Sequence, residues 1–429
     1  VGLEMLKKYF EPGALLSFPA YRALLISGVL TVLAMSAFPI ALAVTVLDAG
    51  GSATTLGVIL AVRVLSGVLM SPIGGVWVDR LPRKTILILS DGFRAIIGSI
   101  VVFIDPKNIS MWILGAIVVL MGISDAFGGP ASGAIMPSIL PDHLLPAGNV
   151  VKGIAYKGST IAGPGIAGII VVSLGTHATY VATSIFFLVG AALLFRINEG
   201  PKVASENPQT TFVEEIREGL SVVWYYKWIA AMILMASVQL MMVIGVENVL
   251  LPVITKRDFG TASVFATSAA LFSAGGAISA VICIKSKVKN PGLVSVVVWG
   301  LFVLAPLVLA FPNSKSIIFI AYFIAGFSVG PWEAFWATQV QREVPAEYQG
   351  RVFAIDYMGS LGLMPLGMAL AGPLVNLFGE RELLIGVAIF HLIICAVVLL
   401  VPGVKEMKSS RPPYSPQGTI SSKSEQDQA

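Results

Sequence analysis

Long, almost uniformly apolar segments dominate this chain, with short polar stretches between them. A helix needs about 20 apolar residues to cross a bilayer, and twelve segments approach or exceed that length. They lie near residues 23–47, 55–78, 85–104, 111–134, 153–174, 178–195, 228–252, 262–284, 292–311, 316–337, 352–376 and 383–402. Barrel strands would instead alternate in polarity over about 10 residues. The pattern therefore predicts an all-α integral membrane protein with twelve transmembrane helices.

The longest polar interruption falls in the middle of the chain. Residues 198–211 are polar and contain prolines, and Phe212–Tyr226 places apolar residues at helical spacing opposite charged ones, as in a helix lying on a membrane surface. Residues after 402 are too polar to order themselves. The predicted parts are a first six-helix half, 1–197, a cytoplasmic linker with an amphipathic helix, 198–227, a second six-helix half, 228–402, and a disordered cytoplasmic tail, 403–429.

A fixed offset of 201 residues aligns the two halves. It brings Gly129-Pro130 onto Gly330-Pro331 and Val151 onto Val352. Single matches between glycine-rich membrane sequences are common, but one offset that holds through separate regions indicates a repeat. We therefore interpret the halves as homologous six-helix bundles.

Composition and charge distribution agree with a membrane location. Hydrophobic residues make up 56% of the chain and charged residues only 12%, which excludes a soluble domain. With the N-terminus inside, 21 of the 28 Lys and Arg residues fall on cytoplasmic segments and 5 on external loops. Basic residues are retained on the cytoplasmic side, so we predict a multi-pass cell-membrane protein with both termini cytoplasmic. The basic residues form no compact patch with interleaved aromatics, which argues against nucleic acid.

Chemistry-bearing residues are scattered. Cys283 and Cys395 lie in separate apolar segments, and the three histidines are equally dispersed, so we expect no disulfide framework, metal site or cofactor. An enzyme would need convergent catalytic groups, which this sequence does not supply. We therefore expect a protein that is not an enzyme.

The loop after the second apolar segment carries the most diagnostic motif. Gly75, Asp79, Arg80, Arg83 and Lys84 stand at the spacing GxxxDRxxR[RK], and the loop resembles the signature between helices 2 and 3 of the major facilitator superfamily. This resemblance covers roughly residues 20–402. It implies two bundles related by an axis along the membrane normal, with the substrate site between them near the middle of the bilayer.

The resemblance also implies a role for the loop as a conformational latch. In the superfamily the acid of this loop meets the start of helix 11, where the helix dipole is positive. That start contains Arg351 and Asp356, and we predict a contact of Asp79 with Arg351 or with the helix terminus. Alternatively, the basic residues of the loop only fix the topology.

A second motif lies in the fifth apolar segment. Gly158, Gly163, Pro164 and Gly168 are similar to part of the GxxxGPxxGG signature of antiporters in the superfamily, with Ser159 and Ala167 at two of its glycine positions. Small residues also let helices pack closely, so the motif has either an antiport role or a packing role. Residues 344–352 and 365–374, together with Asp79–Lys84 after the second apolar segment, make the chain similar to the branch of macrolide-efflux and enterobactin-exporter-like drug:proton antiporters.

Ionisable residues inside membrane spans are costly unless they face a partner or a wet cavity. Asp91 and Arg94 are three residues apart and are expected to neutralise each other. Asp125 and Glu247 have no partner nearby in sequence, so they are the leading candidates for binding a proton or a cationic substrate, because desolvation favours the neutral form of a carboxyl. Arg63 is a candidate partner for either acid. Glu333 is assigned to gating or coupling.

The hydrophobic wall of a cargo cavity is expected on two helices. One offers Gln239 among four methionines, and the other offers Trp332 and Trp336 with Phe335; these side chains suit variable, planar or cationic ligands. The alternative is that they pack against lipid or neighbouring helices.

These observations favour a monomeric secondary transporter that exports an amphipathic small molecule, such as a drug, a macrolide or a siderophore-like metabolite, by proton antiport. Its expected partners are the small-molecule substrate, protons and the lipid bilayer. Proton-coupled or facilitative uptake of a nutrient by the same fold is the alternative. A receptor or passive channel also stays open, because fold alone does not fix function.

Overall fold

The computed structural model describes residues 13–104, 109–199, 212–284, 286, 288–412 and 414, and every regular element within these ranges is helical. Eleven of its helical segments are long and apolar enough to cross a membrane. One of them, Asp142–Leu194, has 53 residues, more than twice the requirement of about 20. Gly175 inside it has φ 84° and ψ 175°, which no helix contains, so this segment comprises two spans. The predicted fold of twelve membrane helices is confirmed.

Six helices form the first half. They are α1 (Pro19–Asp48), α2 (Ala53–Arg80), α3 (Arg83–Phe103), α4 (Met111–Ala134), and α5 (145–174) and α6 (176–194) on either side of Gly175. The Ser52 hydroxyl caps the start of α2 by accepting from the Thr55 N–H at 3.2 Å. Pro82 ends α2, because the residue before a proline is held in an extended conformation.

A surface helix and six further spans complete the chain. They are α7 (Phe212–Tyr225), α8 (Lys227–Phe259), α9 (Ala262–Ile284), α10 (Pro291–Ala310), α11 (Lys315–Glu343), α12 (Glu347–Phe378) and α13 (Glu380–Val398). The expected amphipathic helix is thus present as α7. A π-helical segment, Leu240–Gly245, interrupts α8. We call the end of the bundle at Arg80–Arg83 the motif face, and the end at Asp48 and Phe259 the opposite face.

The two halves use glycine in the same way inside each bundle. In the first half, a Cβ on Gly163 of α5 would lie 2.5 Å from the Ser36 Cβ of α1. In the second half, a Cβ on Gly367 of α12 would lie 1.8 Å from the Met241 carbonyl oxygen of α8. Helices α5 and α12 hold equivalent places in the repeat, so the same close helix contact is made twice.

Glycines of the same two helices also set the approach between the halves. A Cβ on Gly168 of α5 would lie 2.6 Å from the Ala266 Cβ of α9, and one on Gly372 of α12 would lie 2.2 Å from the Thr54 Oγ1 of α2. Both contacts lie towards the opposite face. The halves are therefore pressed together at that face.

We expect Gly372→Ala to impair transport strongly. The added methyl would also lie 2.4 Å from the Thr54 backbone nitrogen, so α2 and α12 must separate and the closed opposite face is destabilised. The measurement is the transport rate in liposomes. Gly386→Ala is the control, because a Cβ there meets nothing within 4 Å. Equal rates for the two variants would contradict this role of Gly372.

Residues 403–412 are ordered, so the expected disorder from residue 403 is wrong for this segment. Val404 and Met407 are fully buried, and the Leu293 N–H at the start of α10 donates to the Lys405 carbonyl oxygen at 2.9 Å. The prediction relied on the polar composition of the whole tail and did not consider these two apolar residues separately. Apart from Tyr414, the later part of the predicted tail, like residues 200–211 of the predicted linker, lies outside the described residues.

Truncation tests this packing. Removing residues 403–429 is expected to lower the Tm by about 5 °C, because two buried apolar side chains are lost. Removing only residues 415–429 keeps the anchors and is expected to leave the Tm unchanged. Thermal unfolding of the two purified proteins is the measurement, and equal Tm values would show that the segment does not stabilise the bundle.

Candidate functional site

A cavity of about 960 Å³ lies between the two halves. It extends along α1 from Leu24, near the motif face, to Ala43. The first half contributes all of its charged lining residues, which are Arg63, Asp91, Arg94, Asp125 and Lys152. The second half contributes a mainly apolar wall, which includes Asn248, Leu251, Phe265, Leu361, Met364 and Met368. The cavity thus has one polar side and one apolar side.

Asp125 of α4 lies at the centre of the charged wall. Its Oδ2 accepts from Arg63 Nη2 of α2 at 3.3 Å, and its Oδ1 accepts from Arg94 Nε of α3 at 3.2 Å. Its side chain is 24% exposed. The predicted partnership of Arg63 is therefore with Asp125 and not with Glu247.

Asp91 and Arg94 extend the same network. They form the expected ion pair, with 2.7 Å between Arg94 Nη1 and Asp91 Oδ1, and the other Asp91 oxygen accepts from the Thr31 hydroxyl at 2.7 Å. Arg94 also donates to the Ser124 carbonyl oxygen. The pair is therefore structural, as expected, but it also holds Asp125 in place through Arg94.

Glycines of α4 make room for this network. A Cβ on Gly122 would lie 2.1 Å from the Arg63 carbonyl oxygen, and one on Gly128 would lie 3.0 Å from Arg94 Nη2. Without side chains at these positions, α2 approaches α4 closely and the guanidinium group of Arg94 reaches across it. The glycine-rich sequence of α4 thus positions the ion pairs.

A second polar group lies nearer the motif face. Lys152 Nζ donates to the Ser132 carbonyl oxygen at 2.9 Å and lies 5.7 Å from the centre of the Tyr156 ring. The Tyr156 hydroxyl lies 3.3 Å from the Ser132 hydroxyl. Gly28 of α1 makes room for this ring, since a Cβ there would lie 1.7 Å from the Tyr156 hydroxyl oxygen.

Glu247 lies away from the cavity lining. It is 6% exposed, and its Oε1 accepts a hydrogen bond from the Tyr322 hydroxyl of α11. Its Oε2 has no partner among the described residues. The structure therefore places the two candidate acids in different surroundings, one in the cavity wall and one inside the second half.

The expected cavity wall on α8 is wrong for this cavity. Gln239 is buried inside the second half, where it accepts from Trp299 Nε1 at 2.5 Å and its Nε2 lies 3.2 Å from His391 Nδ1. Met232 and Met235 are also buried in that core. The π-helical segment follows Gln239 and changes the register, so that Asn248 and Leu251 line the cavity instead.

The tryptophans of α11 also pack inside the second half and do not line the cavity. Trp332 and Trp336 stack with ring centres 5.8 Å apart, and Trp336 Nε1 donates to Asp356 Oδ2 at 2.8 Å. The alternative packing role is the one observed for these rings.

In the part of the chain that the structure describes, two ion pairs join the halves. Glu333 of α11 pairs with Lys157 of α5 nearer the motif face, and Lys256 of α8 pairs with Asp48 of α1 at the opposite face. All four side chains are at least 29% exposed, so each pair alone contributes little to stability. Both must break when the halves separate at the corresponding face.

The motif loop is held inside the first half. The Arg83 and Lys84 N–H groups at the start of α3 donate to the Glu199 carboxylate at 3.1 and 2.9 Å, while Arg80 is exposed at the end of α2. At the start of α10, the Leu293 N–H likewise donates to an acceptor outside the helix, the Lys405 carbonyl oxygen.

The described partner of Arg351 is Glu218 of α7, with 3.0 Å between Nη1 and Oε2. Gly75 and Asp79 belong to α2, but the side-chain position of Asp79 is not among the described features. The predicted contact of Asp79 with Arg351 therefore stays a prediction.

The antiporter-like motif makes helix contacts. Gly163 packs against α1 and Gly168 against α9, Pro164 lies inside α5, and a Cβ on Gly158 would meet nothing within 4 Å. None of the four residues lines the cavity. Gly163 and Gly168 thus have the geometry of close packing, Gly158 does not, and an antiport role of the motif stays a prediction.

The described residues contain no cluster of three or more His, Cys, Asp or Glu side chains suited to a metal ion. Sequence reasoning missed Lys152, Tyr156 and Asn248 as cavity residues. The small residues Gly28 and Ser132 are the closest sequence signal for this group, since both contact Tyr156. Only the packing of α1, α4 and α5 reveals that contact.

Twelve spans in two bundles around a central cavity define a membrane transporter. The sequence model of the Major Facilitator Superfamily matches residues 24–363, and the chain belongs to this family. It is 26% identical over 389 residues to the "Multidrug efflux pump Tap" of Mycolicibacterium fortuitum, covering 86% of this chain and 92% of the relative. It is 24% identical over 367 residues to "Macrolide efflux protein A" of Streptococcus pyogenes, covering 83% and 89%.

Solved structures support the fold. A bacterial homologue of the human lysosomal transporter Spinster, in an inward-facing and unoccupied conformation, superposes with a TM-score of 0.71 at 14% identity, over 92% of this chain and 98% of that one. A D-xylose–proton symporter superposes with a TM-score of 0.69 at 14% identity, over 91% and 99%.

Proposed function

We propose that the protein exports amphipathic small molecules from the cytoplasm by proton antiport through alternating access. The observation that carries this proposal is the cavity between the halves, with a charged wall on one side and an apolar wall on the other. Such a cavity suits a molecule with a polar group and an apolar body. The names of the relatives, a multidrug pump and a macrolide efflux protein, support cargo of this kind.

In this proposal the motif face is cytoplasmic, which agrees with the distribution of Lys and Arg. The protein acts as a monomer in the cell membrane, with both termini in the cytoplasm. The close contacts of Gly168 and Gly372 at the opposite face then correspond to a conformation closed to the outside. Rocking of the halves breaks the Asp48–Lys256 pair and opens the cavity outward.

Asp125 is the proposed site of exchange between proton and cargo. Its carboxylate holds Arg63 and shares Arg94 with Asp91, so protonation releases Arg63, which has no other described anionic partner. Glu247 is proposed as a second protonation site. Its protonation depends on the packing of α8 against α11, because its hydrogen-bond partner Tyr322 lies on α11.

The test uses the purified protein in liposomes with an imposed pH gradient. Amphipathic drugs and catechol siderophores are added one at a time, and at least one of them is expected to release protons into a compartment that contains a pH-sensitive dye. Cargo movement that persists unchanged after a protonophore collapses the gradient would overturn antiport. Accumulation of cargo on the proton-receiving side would instead identify the alternative, proton-coupled uptake.

A further inference from the structure

The charge of the cavity lining differs from that expected for a cation-binding site. Among the described residues, its ionised side chains are three cations, Arg63, Arg94 and Lys152, and two anions, Asp91 and Asp125. The formal balance is therefore three positive against two negative, or +1. A second cation brought by the cargo would meet a net positive wall.

Both anions of the lining are already occupied. The two oxygens of Asp125 accept from Arg63 and Arg94, and those of Asp91 accept from Arg94 and Thr31. A cationic cargo would have to displace one of these donors, and displacing Arg63 would leave that arginine without a described anionic partner. Removing one member of an ion pair in a poorly solvated site is costly.

Lys152 is the cation of the cavity lining that forms no described ion pair with Asp91 or Asp125. Its described contacts are the Ser132 carbonyl oxygen and the face of the Tyr156 ring, and neither is an anion. An ammonium group has three donors, so two remain available in the cavity. A carboxylate binds such a group through charge-assisted hydrogen bonds.

We propose that the cargo is an amphipathic acid whose anionic group binds Lys152. The apolar body then lies against Leu361, Met364 and Met368 of α12 on the facing wall, and methionine adapts to variable shapes there. This inference rests on the proposed function, since it names the class of cargo for the same cavity.

The experiment compares binding of fusidic acid, an amphipathic carboxylic acid, with that of its uncharged methyl ester, to the full chain in nanodiscs. The wild type is expected to bind the acid about tenfold more tightly than the ester, the size of one charge-assisted hydrogen bond. Lys152→Gln is expected to lose this preference but to retain ester binding, which shows that the variant is folded. Lys152→Arg is expected to keep the preference.

Lys227→Gln is the matched control, because it removes the same charge from an exposed position outside the cavity. Equal binding of acid and ester by the wild type, absence of acid binding, or a preference that survives in Lys152→Gln would each overturn the proposal. The liposome assay with a pH gradient tests proton coupling separately from cargo binding. If the protein binds the acid more tightly than the ester but the pH gradient moves no cargo, antiport is refuted and the cargo class stands. If the pH gradient drives export of other compounds but not of the acid, the cargo class is refuted and antiport stands.

Discussion

Asp125→Asn is expected to reduce gradient-driven exchange more than tenfold. The carboxylate accepts from Arg63 through one oxygen and from Arg94 through the other. An amide offers only one acceptor oxygen and carries no charge, so Arg63 loses its described ion pair, at a cost of about 3 kcal/mol, whereas Arg94 keeps Asp91. A change of about 1.4 kcal/mol already corresponds to a factor of ten. The initial rate of cargo movement in liposomes under a pH gradient is the measurement.

The control for Asp125→Asn is Asp142→Asn, which removes the same charge from an exposed residue between α4 and α5. It is expected to match the wild type. Adding Arg63→Gln to Asp125→Asn removes the unpaired cation and is expected to recover part of the lost thermal stability, since the two side chains contact each other. Full exchange by Asp125→Asn would remove this residue from the mechanism.

Most of the fold follows from local features of the sequence. Each span is a run of apolar residues, and several are bounded by a cap, a proline or a glycine, as at Ser52, Pro82 and Gly175. These signals act within a few residues and need no knowledge of the rest of the chain. The order of residues 403–412 was missed because Val404 and Met407 are buried in an otherwise polar segment, which average polarity does not reveal.

The candidate site was less predictable because it depends on the rotation of helices about their axes. Asp125 and Arg63 were identified by the cost of ionised groups in a membrane, and that physical argument needs no structure. Gln239 and Trp336 were assigned to the cavity by composition alone. In a membrane helix the apolar residues do not mark an inward face, so the faces of α8 and α11 became known only from the packing.

Glu247→Gln is expected to leave folding and cargo binding intact and to reduce uphill transport more than tenfold. Glu247 is buried, with one hydrogen bond from Tyr322 and one oxygen without a described partner. A lone carboxylate there costs several kcal/mol, so a neutral carboxyl fits the site, and glutamine matches its size and charge. Glutamine cannot release a proton when the halves rock, so coupling is lost while downhill movement continues.

The measurements for Glu247→Gln are the Tm and cargo accumulation against a gradient at several pH values. Tyr322→Phe is the matched variant, because it removes the hydrogen bond and keeps the carboxyl; it is expected to retain coupling with an altered pH dependence. Unchanged uphill transport by Glu247→Gln would limit this residue to a structural role. If Asp125→Asn also keeps full gradient-driven exchange, neither acid carries the proton, and coupling must depend on a group other than Asp125 and Glu247.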